Sequence, residues 1–174
     1  MPVVSLYPNT TSGATIDGWD QSGATFLDYI SDGDAGSYVT QNQVGASVLI
    51  HVADSEAAAE GTINGASIFV THKAGGKGAA EGQIRIYDFN NSQTIALENF
   101  SISSTDFTTY EVCATTDVTP DMIKDLGVYF TNTSGQSVLA DIRIDIDYTA
   151  AVTTPVHFKL TDGLVELTDG KISL

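Results

Sequence analysis

The stretch 138-VLADIRIDIDYT-149 decides the fold class. Ile142, Ile144, Ile146 and Tyr148 fall on one side of it, and Asp141, Arg143, Asp145 and Asp147 fall on the other. A period of two marks a β-strand with one face against a core and one in water, because successive side chains of an extended chain point to opposite faces. A helix of this sequence would scatter its isoleucines around the whole circumference. Just upstream, 128-VYFTNTSGQSV-138 sets two apolar stretches around Asn-Thr-Ser-Gly, which predicts a hairpin from about Leu126 to Tyr148.

The same pattern recurs along the chain in GASVLIHVA (45–53), GASIFVTHK (65–73), GQIRIYDF (82–89), QTIALENF (93–100) and FTTYEVCA (107–114), each bounded by Gly, Asn, Asp or Ser. DFNNSQ (88–93) reads as a tight turn and AGGKGAAEG (74–82) as a longer connection. About eight short strands at hairpin-like spacing, without strand-helix alternation, predict an all-β protein: an antiparallel β-sandwich, most simply a jelly roll. Two pieces carry helical signals. DSEAAAEG (54–61) covers barely two turns, whereas TPDMIKDLG (119–127) offers Thr119 as N-cap, Pro120 at the first helical position and Gly127 as a stop. The second is expected to form one short helix capping an end of the sandwich. In TTYEVCATT, alternation sets Val112 on one face and Glu111 and Cys113 on the other.

After Tyr148 the chain changes character. It passes through TAAVTTP (149–155), where Pro155 interrupts strand continuation, into HFKLTDGLVELTDGKISL (157–174). A boundary near residue 150 therefore separates a jelly-roll domain, 1–150, from a C-terminal β-tail, 151–174. Asp-Gly steps at 162–163 and 169–170 would turn the tail between strands at His157–Leu160, Leu164–Leu167 and Lys171–Leu174. Strands this short do not support an isolated sheet. The tail is expected to add its edges to its own sandwich or to another molecule, with His157, Phe158, Leu160, Leu164, Val165, Leu167, Ile172 and Leu174 as candidate partner-binding residues for docking or trimerisation.

Composition bounds the function. With 174 residues, 42% hydrophobic and 17% charged, the chain is long and apolar enough for one core. Its 22 acidic against 7 basic residues give a net charge of −15. Such a surface repels phosphate backbones, so nucleic acid is not an expected partner. No apolar run approaches the ~20 residues of a membrane span, and the opening MPVVSLYPNTT lacks the basic and apolar regions of a secretory signal, which predicts synthesis in a cytoplasm. Cys113 is alone and reads as a packed small residue.

Catalytic signatures are weak. Neither a CxxC pair, HExxH, GxSxG nor a full phosphate loop occurs, and GGKG (75–78) sits between strands. His51 and His72 read as ordinary sheet residues. Asp145 and Asp147 lie on one strand face about 6.6–6.8 Å apart along the backbone, a separation seen in glycoside hydrolysis, but acid faces on strands are usually solvated. Asp28, Asp32 and Asp34 in DYISDGDAGSYV (28–39) form half of an oxygen-rich loop that could hold a structural calcium, although position twelve counted from Asp28 is Val39 and not Glu. Trp19 reads as a core anchor before a sugar platform.

One resemblance adds to this reading. LYPNTTSGATIDGWDQSG (6–23), then DYISDGDAGSYVT (28–40), the strand ASIFVTHKA (66–74) and the closing LGVYFTNTSGQSVLADIRIDIDYT (126–149) resemble the layout of virion structural proteins of tailed bacteriophages. Repeats such as LTDGLVELTDGKISL (160–174) are similar to tails in those proteins. The resemblance implies a capsid decoration or cement protein on the capsid exterior of a virion, made in the bacterial host cytoplasm. It would be a homotrimer that binds the major capsid protein and has no enzyme activity and no cofactor. The alternative on the same sandwich is a tail fibre, spike or carbohydrate-binding receptor-recognition module, which predicts an aromatic-lined site near Trp19 or Tyr38.

Overall fold

The computed structural model describes residues 2–151, apart from 21, 22, 33, 35, 42, 56, 57, 59 and 77, together with the backbone of 156–160, 163–168 and 171–173; residues 10–15, 23 and 24 are described as backbone. In chain order the strands are β1 (Val3–Leu6), β2 (Pro8–Asp17), β3 (Val39–Thr40), β4 (Ser47–Val52), β5 (Thr62–Ala74), β6 (Ala80–Asp88), β7 (Gln93–Ile102), β8 (Thr108–Thr115), β9 (Leu126–Ser134) and β10 (Ser137–Thr149), followed by β11 (Val156–Leu160), β12 (Gly163–Thr168) and β13 (Lys171–Ser173). One sheet runs β1-β10-β5-β8, with β3 also on β10, and the other runs β2-β4-β9-β6-β7. All pairings are antiparallel. From β4 to β10 the chain changes sheet at every connection except the β6–β7 hairpin, so that β1-β10-β5-β8 faces β4-β9-β6-β7. This is the strand order of a jelly roll, the fold expected from the sequence.

The core is the meeting of two inner faces. In the first sheet Ile142 pairs with Val70 and Ile144 with Ile68. Across the sandwich stand Val48, Ile50, Ile84, Ile86, Val128 and Phe130, and all ten of these side chains are fully buried. Each such burial stabilises by about 1.5–3 kcal/mol before cavity effects, which is why alternation dictated the fold so strongly.

Three local expectations need correction. The predicted Leu126–Tyr148 hairpin is an arch, since β9 and β10 belong to different sheets. Gly135 turns there at φ +68°, where an added Cβ would run into the Ala79 carbonyl. The inward residues at the arch are polar and buried: Asn132 Nδ2 donates to Ser137 Oγ at 2.7 Å, and the Ser137 amide donates to Gln41 Oε1 at 2.8 Å. These bonds hold the crossing in a place where an apolar pair would have joined one sheet. The turn at 88–93 is a true hairpin, its buried Asp88 accepting from Asn91 Nδ2 at 2.6 Å.

The helix prediction also moves. Over 119–127 only Met122–Asp125 form a 3₁₀ turn, entered without a side-chain cap, and Gly127 lies within β9 instead of stopping a helix. The α-helix, α1, is Gly23–Ile30. Its Phe26 and Ile30, four residues apart on one face, are both fully buried and plug an end of the sandwich. The predicted helix at 54–61 lies partly outside the described residues. Finally, Ile68 pairs with Cys113 and Phe69 with Glu111, so Val112 is a bulge residue. The bulge turns Cys113 into the core while Glu111 stays exposed, which simple alternation could not anticipate.

In the C-terminal segment β11, β12 and β13 form an antiparallel meander, with Phe158 opposite Val165 and Leu167 opposite Ile172. Among the described residues its ladders join neither sandwich sheet. The Asp162 turn, Asp169–Gly170 and Leu174 lie outside the described residues, as do the side chains of His157, Phe158, Leu160, Leu164, Val165, Leu167 and Ile172.

Candidate functional site

The outer face of the first sheet collects the polar halves of the alternating strands. Arg143 on β10 holds Asp145 Oδ1 through Nε at 3.1 Å and Asp141 Oδ2 through Nη1 at 3.3 Å, while its guanidinium lies 4.7 Å from the centre of the Phe69 ring. Alongside, Ser67 donates to Glu111 at 2.7 Å, and Thr71 and Thr109 share a 2.7 Å hydrogen bond. Burial lifts the Asp141 carboxyl to about 6, against the opposing pull of Arg143.

Two depressions open on this face. The larger, about 680 Å³, is floored by Gly65, Ala66 and Ser67 and walled by Phe69, Asp145 and Asp147. Its functional groups are already engaged: Arg143 covers Phe69 and binds Asp145, and Asp147 accepts from Asn64 at 3.3 Å. The groove is open, so the two aspartates brought together here are not the recessed pair that the hydrolase reading requires.

The second depression, about 460 Å³, is lined by Tyr38, Thr40, Lys73, Thr105 and Gln136 and by the bare backbone of Gly75 and Gly76. Tyr38 is 44% exposed, and its ring centre stands 5.7 Å from that of Phe107, inclined at 45°. The Lys73 ammonium lies 4.3 Å from the Phe107 centre and 5.6 Å from that of Tyr38. Local chemistry holds each part. Lys73 projects from β5 opposite Val138. Phe107 follows a turn in which Ser104 Oγ donates to the Asp106 carbonyl at 2.8 Å. Gln136 is fixed through Nε2 to the Gln41 carbonyl at 3.0 Å.

The loop that presents Tyr38 is built by the acidic residues singled out as calcium candidates. Asp32 Oδ1 accepts the Asp34 amide and Asp34 Oδ1 accepts the Gly36 amide, each at 2.8 Å, and the Ser37 amide closes on the Asp34 carbonyl at 3.1 Å. Such side-chain-to-backbone bonds mimic turns and fix the loop. Asp28 sits apart from them, within α1. Among the described residues no group of three or more His, Cys, Asp or Glu side chains converges on a metal position.

Trp19 is not part of the platform. It is 7% exposed, donates from Nε1 to the Ser47 carbonyl at 3.2 Å and packs edge-on to Phe26 at 5.8 Å. His51 stacks on Phe89 at 3.5 Å with Nδ1 3.1 Å from Asp125. His72 is more unusual than its strand position suggested: it is fully buried among Phe100, Tyr110 and Phe130, neither ring nitrogen has a hydrogen-bond partner, and burial lowers its pKa to about 4. Phe107 and Lys73 were not singled out by the sequence. Tyr38 was, but nothing in the linear order joins it to a phenylalanine and a lysine on two other strands' ends.

No known sequence family matches the chain, and no curated protein sequence does. Among solved structures the chain is similar to the GH26-CBM35 β-(1,4)-mannanase of Podospora anserina, at 13% identity and a TM-score of 0.47 over 88% of this chain and 29% of that one. It is also similar to a native family 35 carbohydrate-binding module of Clostridium thermocellum, at 13% identity and a TM-score of 0.48 over 86% of this chain and 100% of that one. A family two carbohydrate esterase of Cellvibrio japonicus gives 10% identity and a TM-score of 0.40 over 88% of this chain and 37% of that one. Likenesses this distant carry no function across to the present chain.

Proposed function

We propose that the chain is a non-catalytic binding module that holds saccharides in the depression beside Tyr38. The observation that carries this reading is the exposed Tyr38 ring, backed by the half-buried Phe107 and set in a polar surround of Thr40, Thr105, Lys73 and Gln136. A sugar ring has apolar C–H faces and a polar rim. A site for it therefore needs an aromatic surface to cover one face and fixed donors and acceptors at the edge. A rigid strand scaffold with loops at its end supplies both, and binding alone requires no acid or base of tuned pKa.

The test is affinity electrophoresis of the full chain through gels containing soluble polysaccharides, neutral and acidic. The wild type should be retarded by at least one polymer, and Tyr38→Ala and Phe107→Ala should each weaken that binding by about tenfold, the order of one lost aromatic contact. Unchanged retardation in both variants, with melting temperatures held, would remove the platform from function.

A second reading rests on the C-terminal meander. A three-stranded sheet whose ladders join neither sandwich sheet suits a docking or trimerising element, as a shell-decorating subunit that grips a capsid protein would need. Light scattering on the full chain and on a version ending at Ala150 tests it. A trimer that becomes a monomer supports an assembly role; a monomer for both versions removes the trimer.

A further inference from the structure

We infer that the depression beside Tyr38 selects saccharides bearing an anionic group, with Lys73 as the residue that recognises it; this rests on the binding reading above. The reasoning starts from what the chain does with its cations. There are 7 Lys and Arg against 22 Asp and Glu, so carboxylates outnumber cations about threefold along the chain. Arg143 is engaged by Asp141 and Asp145. Arg85 binds Gln83 at 2.8 Å and lies 4.9 Å from the Tyr129 ring centre. Lys73, like Arg85, has no carboxylate within ion-pair distance among the described residues, and its ammonium lies over the faces of Phe107 and Tyr38.

That arrangement has a chemical consequence. Aromatic faces attract an ammonium without neutralising it or using up its N–H donors. The charge is kept in position and left free for a ligand. Lys73 is also the one charged side chain among the described lining residues of this depression. In a protein this acidic, a binding pocket walled by a tyrosine, threonines, a glutamine and glycines, with no carboxylate, is one from which negative charge is absent. A neutral sugar would use the ammonium only as a donor to a hydroxyl, whereas an anionic group adds a charge-assisted hydrogen bond of about twice the strength. A sugar stacked on Tyr38 would bring an exocyclic carboxylate or sulfate toward Lys73, whose Nζ is 5.6 Å from that ring's centre, about the reach of one pyranose.

The experiment measures dissociation constants of the full chain for polygalacturonate, dextran sulfate and neutral hydroxyethyl cellulose, for the wild type and for Lys73→Gln, Lys73→Arg and Gly76→Glu. Gly76 lies on the lining, and a Cβ there meets open space, so the glutamate adds charge without a packing change. The expected result is a preference for an acidic polymer over the neutral one. Lys73→Gln and Gly76→Glu should each cut that preference by about tenfold, and Lys73→Arg should retain it. Whether polygalacturonate or dextran sulfate binds tighter identifies the anionic group. Binding that is equal for neutral and acidic polymers, or a preference unmoved by both Lys73→Gln and Gly76→Glu, overturns the inference and leaves the saccharide reading standing. Failure to bind any of the three, or the wider panel above, overturns both. Should Lys73→Gln melt early, Gly76→Glu carries the test alone.

Discussion

Replacing His72 by leucine should remove a contribution that lowers stability in acid. The wild-type imidazole is fully buried, unpartnered at both nitrogens and lowered from about 6.5 to about 4. Between those values the unfolded chain binds a proton that the folded chain refuses, so stability falls as pH falls from 6.5 toward 4. A shift of this size corresponds to about 3 kcal/mol. Asp141 works in the opposite direction. Its carboxyl is raised from 3.8 to about 6, so the folded chain binds the extra proton in that window, and its contribution is present below 3.8 and lost as pH rises through 6. That contribution is also about 3 kcal/mol. The two largely cancel between pH 6 and 4 in the wild type. Urea denaturation from pH 7 down to 4, read as the difference between each variant and wild type so that the other carboxylates drop out, separates them. His72→Leu should gain about 3 kcal/mol relative to wild type on going from pH 6.5 to 4, and Asp141→Asn should lose about as much from pH 6 to 3.8. At pH 7 the leucine should cost little or be stabilising, because it removes two orphaned polar atoms from the core. A His72→Leu difference that stays flat with pH would show that the histidine titrates normally and that the reasoning from burial is wrong.

Gly135→Ala should destabilise by about 2–4 kcal/mol, from the left-handed backbone and the Ala79 carbonyl together; a loss under about 0.5 kcal/mol in urea would mean the arch has other ways to turn. Calcium at saturating concentration should leave the melting temperature where a chelator leaves it, because Asp32 and Asp34 already serve backbone amides; a rise by calorimetry would restore the metal reading for that loop.

The strands were legible wherever burial alternates. The segments proposed at 45–53, 65–73, 82–89, 93–100 and 107–114 overlap β4 to β8, and in β4, β5 and β6 buried and less buried residues alternate as the pattern requires. What escaped were features that the local pattern does not encode. A glycine after Asn-Thr-Ser turns an arch as readily as a hairpin, and the choice was made by Gln41, far away in sequence, bonding to Asn132 and Ser137. The helix at 23–30 was missed although Phe26, Leu27 and Ile30 carry helical spacing, because eight residues opening on Gly, Ala and Thr are weak helix formers; burial of Phe26 and Ile30 in the core is what holds it. The platform was half visible. Tyr38 looked like a binding aromatic, but Phe107 was the first residue of one strand segment and Lys73 the last of another, and only the sheet order makes them neighbours.

One edge of β10 is shared. β1 pairs with its far half, from Ile144 to Asp147, and β3 takes Val138 and Leu139 near its start, while β5 covers the opposite edge throughout. A single strand position is thus filled by two pieces of chain, with β2, α1 and the Tyr38 loop spooled out between them. Within that excursion β2 is tied to β4 and Trp19, Phe26 and Ile30 to the core, whereas the exposed Tyr38 loop lies outside both ladders and can vary while the wall behind it stays whole. The architecture separates the wall that folds from the loop that helps to form the site, so a new ligand preference can be written into the exposed positions next to Tyr38 without rewriting the sandwich.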